Sequence, residues 1–139
     1  MKRSLKHSLA DLLYAAIESK QDLPRKIILE SFELKYPKAL YTTWQLKDNA
    51  IWEAAFFWEK KEHTALFTKN GLWMETHTYL PLGKVPKIIQ QKFNMDYPRN
   101  LIQGIFILKK SEEVFYEFLI RLGNKEYKAR YSVDGEKKA

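Results

Sequence analysis

The sequence contains no cysteine among its 139 residues. Without a thiol there is no disulfide framework, no thiolate nucleophile and no zinc site built on cysteine, and the chain is compatible with a reducing or an oxidising compartment. Glycine is also scarce, at 5 residues, and no glycine-rich loop of the phosphate-binding type occurs. These absences exclude cysteine-based catalysis and the common nucleotide-binding loops.

Long apolar runs are absent too, and none approaches the length of a membrane span. The basic start, "MKRSLKHSLADLLYAAIESKQ", resembles the beginning of a signal peptide. However, Asp11 interrupts its apolar stretch, and Glu18 and Lys20 follow where a cleavage site of small residues is expected. We interpret this segment as mature protein, which predicts a cytoplasmic location for the chain as written.

The same segment has apolar residues at helical spacing, at Leu5, Leu9, Leu12, Leu13, Ala16 and Ile17. It predicts an amphipathic helix over 4–20, in an N-terminal unit 1–22. The short linker "QDLP" favours packing of this helix beside the next one, because brief connections join antiparallel neighbours. Packing on the sheet is the alternative.

The overall composition is that of a globular protein, with 45% hydrophobic, 14% aromatic and 29% charged side chains. One compact body is expected at this length. The net charge of +7 is dispersed, with +3 in residues 1–38, −1 in 39–83 and +5 in 84–139. A nucleic-acid-binding function therefore has only weak support from charge.

Two stretches of the sequence repeat each other: "LPRKIILESFELKYP" and "VPKIIQQKFNMDYP", whose Tyr36 and Tyr97 are 61 residues apart. Each has a proline near its start and another after its end, as is typical of a short helix. "EHTALFTKNG" likewise matches "EYKARYSVDG", and both end in a turn dipeptide that joins two strands. The repeats define two helix-and-meander units, 23–80 and 81–139.

Alternation along the strands predicts which face is buried. The inward positions are Trp52, Ala54, Phe56 and Trp58 in the first unit and Tyr116, Phe118, Ile120 and Leu122 in the second. The sequence thus predicts an α+β fold, a tandem repeat of a helix plus an antiparallel β-meander. Its helices cover one face of a sheet of roughly seven to eight strands, and the other face is open.

These motifs resemble the PepSY-like proteins with a β-lactamase-inhibitor-protein-like fold, found mostly as secreted or periplasmic proteins of Bacteroidetes. The resemblance rests on "LP…F…YP", a Trp/Tyr-Glu strand and "E-[His/Tyr]-x-Ala-x-[Phe/Tyr]-x-x-[Asn/Asp]-Gly", each present twice over about residues 23–135. It implies a periplasmic location and a sheet whose free face binds a protein partner.

Few residues suggest catalysis. His63 occupies the position of Tyr127 in the second unit and is interpreted as structural. A metal site at this histidine and His77 would need further ligands, for which Glu62 and Glu75 are the candidates. Glu53 and Glu117 are equivalent positions, one in each unit, and are interpreted as surface residues rather than a catalytic pair. We expect no catalytic residue, no metal and no cofactor, and hence no enzyme.

The open face is predicted to carry an apolar strip with one arginine, formed by Tyr41, Phe57, Leu66, Phe106, Leu119 and Arg121. Such strips on open sheets tend to be interfaces, which predicts a non-catalytic protein-binding or inhibitor-like module with an unknown partner. Coverage by the N-terminal helix or by a second copy is the structural alternative. The alternative function is nucleic-acid binding through Arg121, Lys128 and Arg130.

Overall fold

The protein was analysed as a computed structural model, which describes residues 23–99 and 101–138. One antiparallel sheet holds eight strands in chain order, and two helices accompany it. The strands are β1 Leu40–Lys47, β2 Ile51–Trp58, β3 Lys61–Phe67, β4 Trp73–Tyr79, β5 Leu101–Lys110, β6 Glu113–Leu122, β7 Lys125–Ser132 and β8 Lys137–Lys138. The predicted α+β class and large antiparallel sheet are confirmed, whereas the predicted helix over 4–20 lies outside the described residues.

The two helices are α1, Lys26–Lys35, and α2, Lys87–Asp96. Pro24 and Pro86 precede them, and the chain turns out of helical geometry at Tyr36 and Tyr97, each followed by a proline. Single-turn 3₁₀ helices lie at Asp48–Ala50 and Leu82–Lys84. Across residues 23–99 and 101–138, every helix is too short or too polar to span a membrane.

The core consists of two hydrophobic clusters, each built on one helix. In the first, Ile28 and Phe32 of α1 pack with buried residues of β2 and β3, among them Phe56 and Phe67. In the second, Ile89 and Phe93 of α2 belong to a cluster with residues of β5, β6 and β7, including Phe118, Ile120 and Tyr131. Helical spacing of four places both apolar side chains of each helix toward the sheet.

Turns fix the register of the hairpins. Gly71, between β3 and β4, has a φ of 87°, and a Cβ there would lie 3.0 Å from the Ile27 side chain. Only glycine combines that backbone conformation with so close an approach to α1. The two-residue turn between β2 and β3 is different, because Glu59 and Lys60 have φ values of 51° and 65° although neither is glycine.

Candidate functional site

The candidate site lies on the sheet face opposite the two clusters, which we call the open face. Ala55, Thr64, His77, Leu108 and Phe115 are neighbours in register across β2 to β6 and mark this face. Lys128 of β7 and Leu66 of β3 line the same concavity, although three strands lie between β3 and β7 in the sheet. Flat strands in these positions would be about 19 Å apart, so the sheet curves around the open face.

A concavity of about 500 Å³ opens on this face. We call it the aromatic pocket, because its lining includes four aromatic side chains of this face, Tyr41, Phe57, Tyr79 and Phe106. Tyr41 is 84% exposed and Tyr79 49% exposed, which is unusual for aromatic side chains on a sheet. The pocket brings together three of the residues predicted from the sequence, Tyr41, Phe57 and Phe106.

Local backbone geometry positions two of these rings. Tyr41 has a φ of 57° and lies in a β-bulge of β1, between the pairs Leu40 with Phe57 and Thr43 with Ala55. Bulges redirect side chains at sheet edges, and this one leaves the Tyr41 ring on the pocket wall. Tyr79 is paired with Phe106 across β4 and β5, and their ring centroids are 6.4 Å apart.

The other predicted residues lie outside the aromatic pocket. Leu66 lines a second concavity of about 380 Å³, together with charged residues that include Glu53, Glu75 and Lys128. Leu119 is the register partner of Lys128, and Arg121 lies 3.3 Å from the Glu126 carboxylate. The predicted strip is therefore interrupted by charged side chains rather than continuous.

Charged and titratable side chains form a connected row across β4 to β7, which we call the charged row: Lys110, Glu75, His77, Glu117 and Arg130. Lys110 Nζ lies 3.9 Å from Glu75 Oε1, and His77 Nε2 lies 2.6 Å from Glu75 Oε2. Because a carboxylate only accepts, the Nε2–H group of His77 is the donor. On the other side of the ring, His77 Nδ1 is 3.6 Å from Glu117 Oε1, and Arg130 Nε donates to Glu117 Oε2 at 2.7 Å.

Glu117 corrects the expectation that it is a surface residue, because it is only 2% exposed. Phe106 and Arg130 flank it across the neighbouring strands, and Phe115 and Leu119 flank it along its own. We attribute the burial of Glu117 to the curvature of the sheet, which brings neighbouring side chains of this face closer together. Glu53, which the sequence repeat matches with Glu117, keeps 24% of its side chain exposed and lies 3.6 Å from Lys47 Nζ.

The two histidines face opposite sides of the sheet, since His63 pairs with Thr78 while His77 pairs with Thr64. His63 is buried at 8% exposure and stacks on Phe56, a member of the first hydrophobic cluster. Its Nε2 donates to the Trp58 carbonyl at 2.9 Å, which leaves Nδ1 to accept from the Thr78 hydroxyl, also at 2.9 Å. Within residues 23–99 and 101–138, no group of three or more histidine, aspartate or glutamate side chains is arranged to hold a metal ion.

Burial lowers the pKa of His63, and the hydrogen bond to the Trp58 carbonyl only partly opposes this effect. Above the unfolded-state pKa of about 6.5 the histidine is neutral in both states. Below it the unfolded chain binds the proton first, so stability falls as the pH drops. We expect the melting temperature of the wild type to fall more steeply between about pH 6.5 and pH 5 than that of a His63→Gln variant. Parallel pH curves for the two proteins would refute this.

Two of the three basic residues in the nucleic-acid hypothesis form ion pairs within the protein. The Arg130 guanidinium donates to Glu117, and the Arg121 guanidinium lies beside Glu126. Of the three residues in that prediction, Lys128 alone has no ion pair within the described part of the chain. Neutralised arginines attract a phosphate backbone weakly, so this arrangement lends the alternative no support.

Comparison with known proteins places this geometry in a recognised fold. A DUF2874 family protein of Bacteroides ovatus superimposes with a TM-score of 0.74 at 20% identity, over 85% of this chain and 86% of that one. A BLIP-like protein of Bacteroides fragilis gives a TM-score of 0.72 at 20% identity, over 84% of each chain. The fold is BLIP-like.

A third structure, from Bacteroides eggerthii, has a TM-score of 0.73 at 18% identity, over 84% of this chain and 87% of that one. It is provisionally described as periplasmic. No protein-family profile and no curated protein sequence matches the chain. The similarity therefore concerns the fold, and the function has to be argued from the open face.

Several features of the site were missed by sequence reasoning. Tyr79 ends β4, and only its pairing with Phe106 places it on the open face. The charged row was missed because its members come from four different strands. Glu75 and His77, two residues apart on one strand, were the available signal, since that spacing puts both on the same face.

Proposed function

We propose that this protein is a non-catalytic, inhibitor-like binding module whose protein partner docks on the open face at the aromatic pocket. The observation that carries this proposal is a concavity of about 500 Å³ lined by the exposed rings of Tyr41, Phe57 and Tyr79, none of which belongs to either hydrophobic cluster. Exposed apolar surface of this kind is costly in water and is typical of a binding site.

The chemistry of the pocket suits a protein interface. Aromatic side chains bury a large area and have few rotatable bonds, so they dominate the binding energy of interfaces. Tyr41 and Phe57 are the anchors in this proposal, with Phe106 as the floor between them. Leu66, Leu119 and Arg121 form a mixed apolar and polar rim on the same face, as interfaces usually have.

We also propose that the two helix-and-meander units are an internal duplication. Both helices then lie on one face of the sheet and leave the open face free. Supporting it, α1 and α2 have the same length, and each buries an isoleucine and a phenylalanine four residues apart. The buried strand residues beside both helices share one side of the sheet by register. Two helices on one side would leave the opposite side available for a partner.

We also propose a periplasmic location, in place of the cytoplasmic expectation. Its support is the provisional description of the Bacteroides eggerthii structure, together with a sequence that needs no thiol chemistry. In an oxidising compartment a chain without cysteine cannot form incorrect disulfides.

Truncating the pocket should abolish partner capture. Tagged wild type and a Tyr41→Ala/Phe57→Ala variant are used as baits in extracts of the producing cells, and bound proteins are quantified by mass spectrometry. Loss of each anchor costs about 2 kcal/mol of binding energy, or roughly thirtyfold in affinity. We expect at least one protein to be captured by the wild type and lost from the variant.

A matched control removes apolar surface from the helix side. Leu34 and Met95 are 85% and 78% exposed on α1 and α2, so Leu34→Ala/Met95→Ala deletes exposed apolar groups without touching the open face. This control should capture the same partner as the wild type. A partner retained by the Tyr41→Ala/Phe57→Ala variant and lost from the control would place the interface on the helices instead.

A further inference from the structure

A third concavity, of about 520 Å³, adjoins the aromatic pocket and shares Phe57 and Tyr79 with it. Its distinguishing residues are three lysines, Lys60, Lys61 and Lys84, and we call it the lysine pocket. The lysines come from the β2–β3 turn, the start of β3 and the 3₁₀ helix before α2. The fold thus brings together cations from two distant parts of the sequence.

The carboxylates of the described residues form no ion pair with these cations. Glu62 is the one acidic residue in the lining, and it also lines the aromatic pocket. Among the ion pairs formed by residues 23–99 and 101–138, none involves Lys60, Lys61 or Lys84. Three ammonium groups around one concavity, with a single carboxylate, leave a local excess of positive charge that suits an anionic ligand.

Backbone strain at the same place is a second, independent observation. Glu59 and Lys60 both have positive φ in a two-residue hairpin turn, a conformation that favours Asn-Gly. Side chains in this region destabilise the fold, and such strain is concentrated at functional sites. The strained conformation holds Lys60 at the edge of the lysine pocket, where a glycine would be more stable but would carry no charge.

We propose that the lysine pocket binds carboxylates of an acidic segment of the partner protein, while an adjacent aromatic or aliphatic side chain of that segment enters the aromatic pocket. This inference rests on the proposed function and specifies the partner's chemistry. Shared walls at Phe57 and Tyr79 place the two subsites side by side, within reach of neighbouring residues of one peptide. A nucleic acid fits less well, because it needs an extended basic track and Arg121 and Arg130 are already paired.

The test uses labelled peptides as probes. One is a short fluorescein-labelled peptide in which acidic residues flank a tryptophan, and the other replaces every Asp and Glu by Asn and Gln. A labelled single-stranded oligonucleotide represents the competing class of ligand. Affinity is measured by fluorescence anisotropy at low and high salt, and the binding site is mapped by chemical-shift changes in ¹⁵N-labelled protein.

We expect the acidic peptide to bind the wild type at least tenfold more tightly than the amide peptide, with shifts around residues 59–62 and 79–84. Lys60→Gly/Lys84→Gln should weaken binding about tenfold, whereas Lys38→Gln/Lys87→Gln, which removes the same charge from exposed positions elsewhere, should not. Lys60→Gly alone should raise the melting temperature and still weaken binding, because it removes the strain together with the charge.

The inference is overturned if neither peptide binds, if both bind equally, or if the oligonucleotide occupies these residues more tightly than the acidic peptide. Failure of the inference is distinguishable from failure of the proposed function. Suppose that a native partner is lost by Tyr41→Ala/Phe57→Ala but captured by Lys60→Gly/Lys84→Gln as well as by the wild type. That result would support the proposed function and refute the binding of an acidic segment in the lysine pocket.

Discussion

Glu117→Ala is expected to lower the free energy of unfolding by about 3–5 kcal/mol, because it leaves a partly buried guanidinium without its counter-charge. The Arg130 side chain is 29% exposed and donates to Glu117 at 2.7 Å, and the Glu117 side chain is only 3% exposed. His77 would lose a neighbouring carboxylate at the same time. Urea denaturation followed by circular dichroism measures the loss.

Glu53, which the sequence repeat matches with Glu117, supplies the control. Glu53→Ala removes a carboxylate that is 24% exposed and 3.6 Å from a lysine that is itself 45% exposed, so a cost below about 1 kcal/mol is expected. Equal losses for the two variants would show that Glu117 is not held in a buried ion pair. The difference between the two losses of unfolding free energy tests whether Glu117 forms a buried ion pair on the open face.

Phe93→Ala is expected to cost about 3–5 kcal/mol, through lost burial and the cavity left behind. Phe93 is 1% exposed and stacks on Phe118 with ring centroids 4.0 Å apart and planes at 8°. Its ring also meets Tyr131 edge to face at 6.4 Å. Truncation to alanine therefore removes ring contacts with both β6 and β7.

Met95→Ala on the same helix isolates the effect of burial. Met95 is 78% exposed, so its truncation should change the unfolding free energy by less than about 0.5 kcal/mol. A small effect of Phe93→Ala in the same denaturation experiment would show that α2 is not fixed to the sheet by this ring. Alanine raises the intrinsic helix propensity at both positions by less than about 0.7 kcal/mol, so propensity cannot account for the loss expected of Phe93→Ala.

Much of the fold was predictable because its signals are local. Alternation placed Trp52, Ala54 and Phe56 on one face of β2, and all three are buried. Proline on both sides of the two helical stretches predicted helices where α1 and α2 lie. Asn70-Gly71 predicted a turn, and Gly71 has the positive φ that such a turn needs.

The burial of Glu117 could not be predicted in the same way. Its position in β6 is on the open face by alternation, and an acidic residue on such a face is normally exposed. Its burial depends on sheet curvature and on Arg130, which is its neighbour only through the pairing of β6 with β7. Register between strands is not a property of either strand alone, so the ion pair is invisible in the sequence.

The site shows the same division between local and non-local information. Tyr41, Phe57 and Phe106 could be placed on one face from alternation, and they line one concavity. Lys60 and Lys84 could not be brought together, since a hairpin turn and a 3₁₀ helix in different parts of the chain position them. Sequence alone therefore indicates which residues share a face of the sheet. It does not indicate which loops from different parts of the chain lie side by side.

Site-specific photo-crosslinking tests most directly whether the open face is the docking surface. A benzophenone amino acid replaces Tyr41 on the open face in one protein and Leu34 on α1 in another, two positions of nearly equal exposure at 84% and 85%. Both proteins are irradiated in the same cell extract, and crosslinked products are identified by mass spectrometry. The proposed function predicts a discrete partner crosslinked from position 41 and not from position 34. A partner crosslinked from position 34 alone would contradict it.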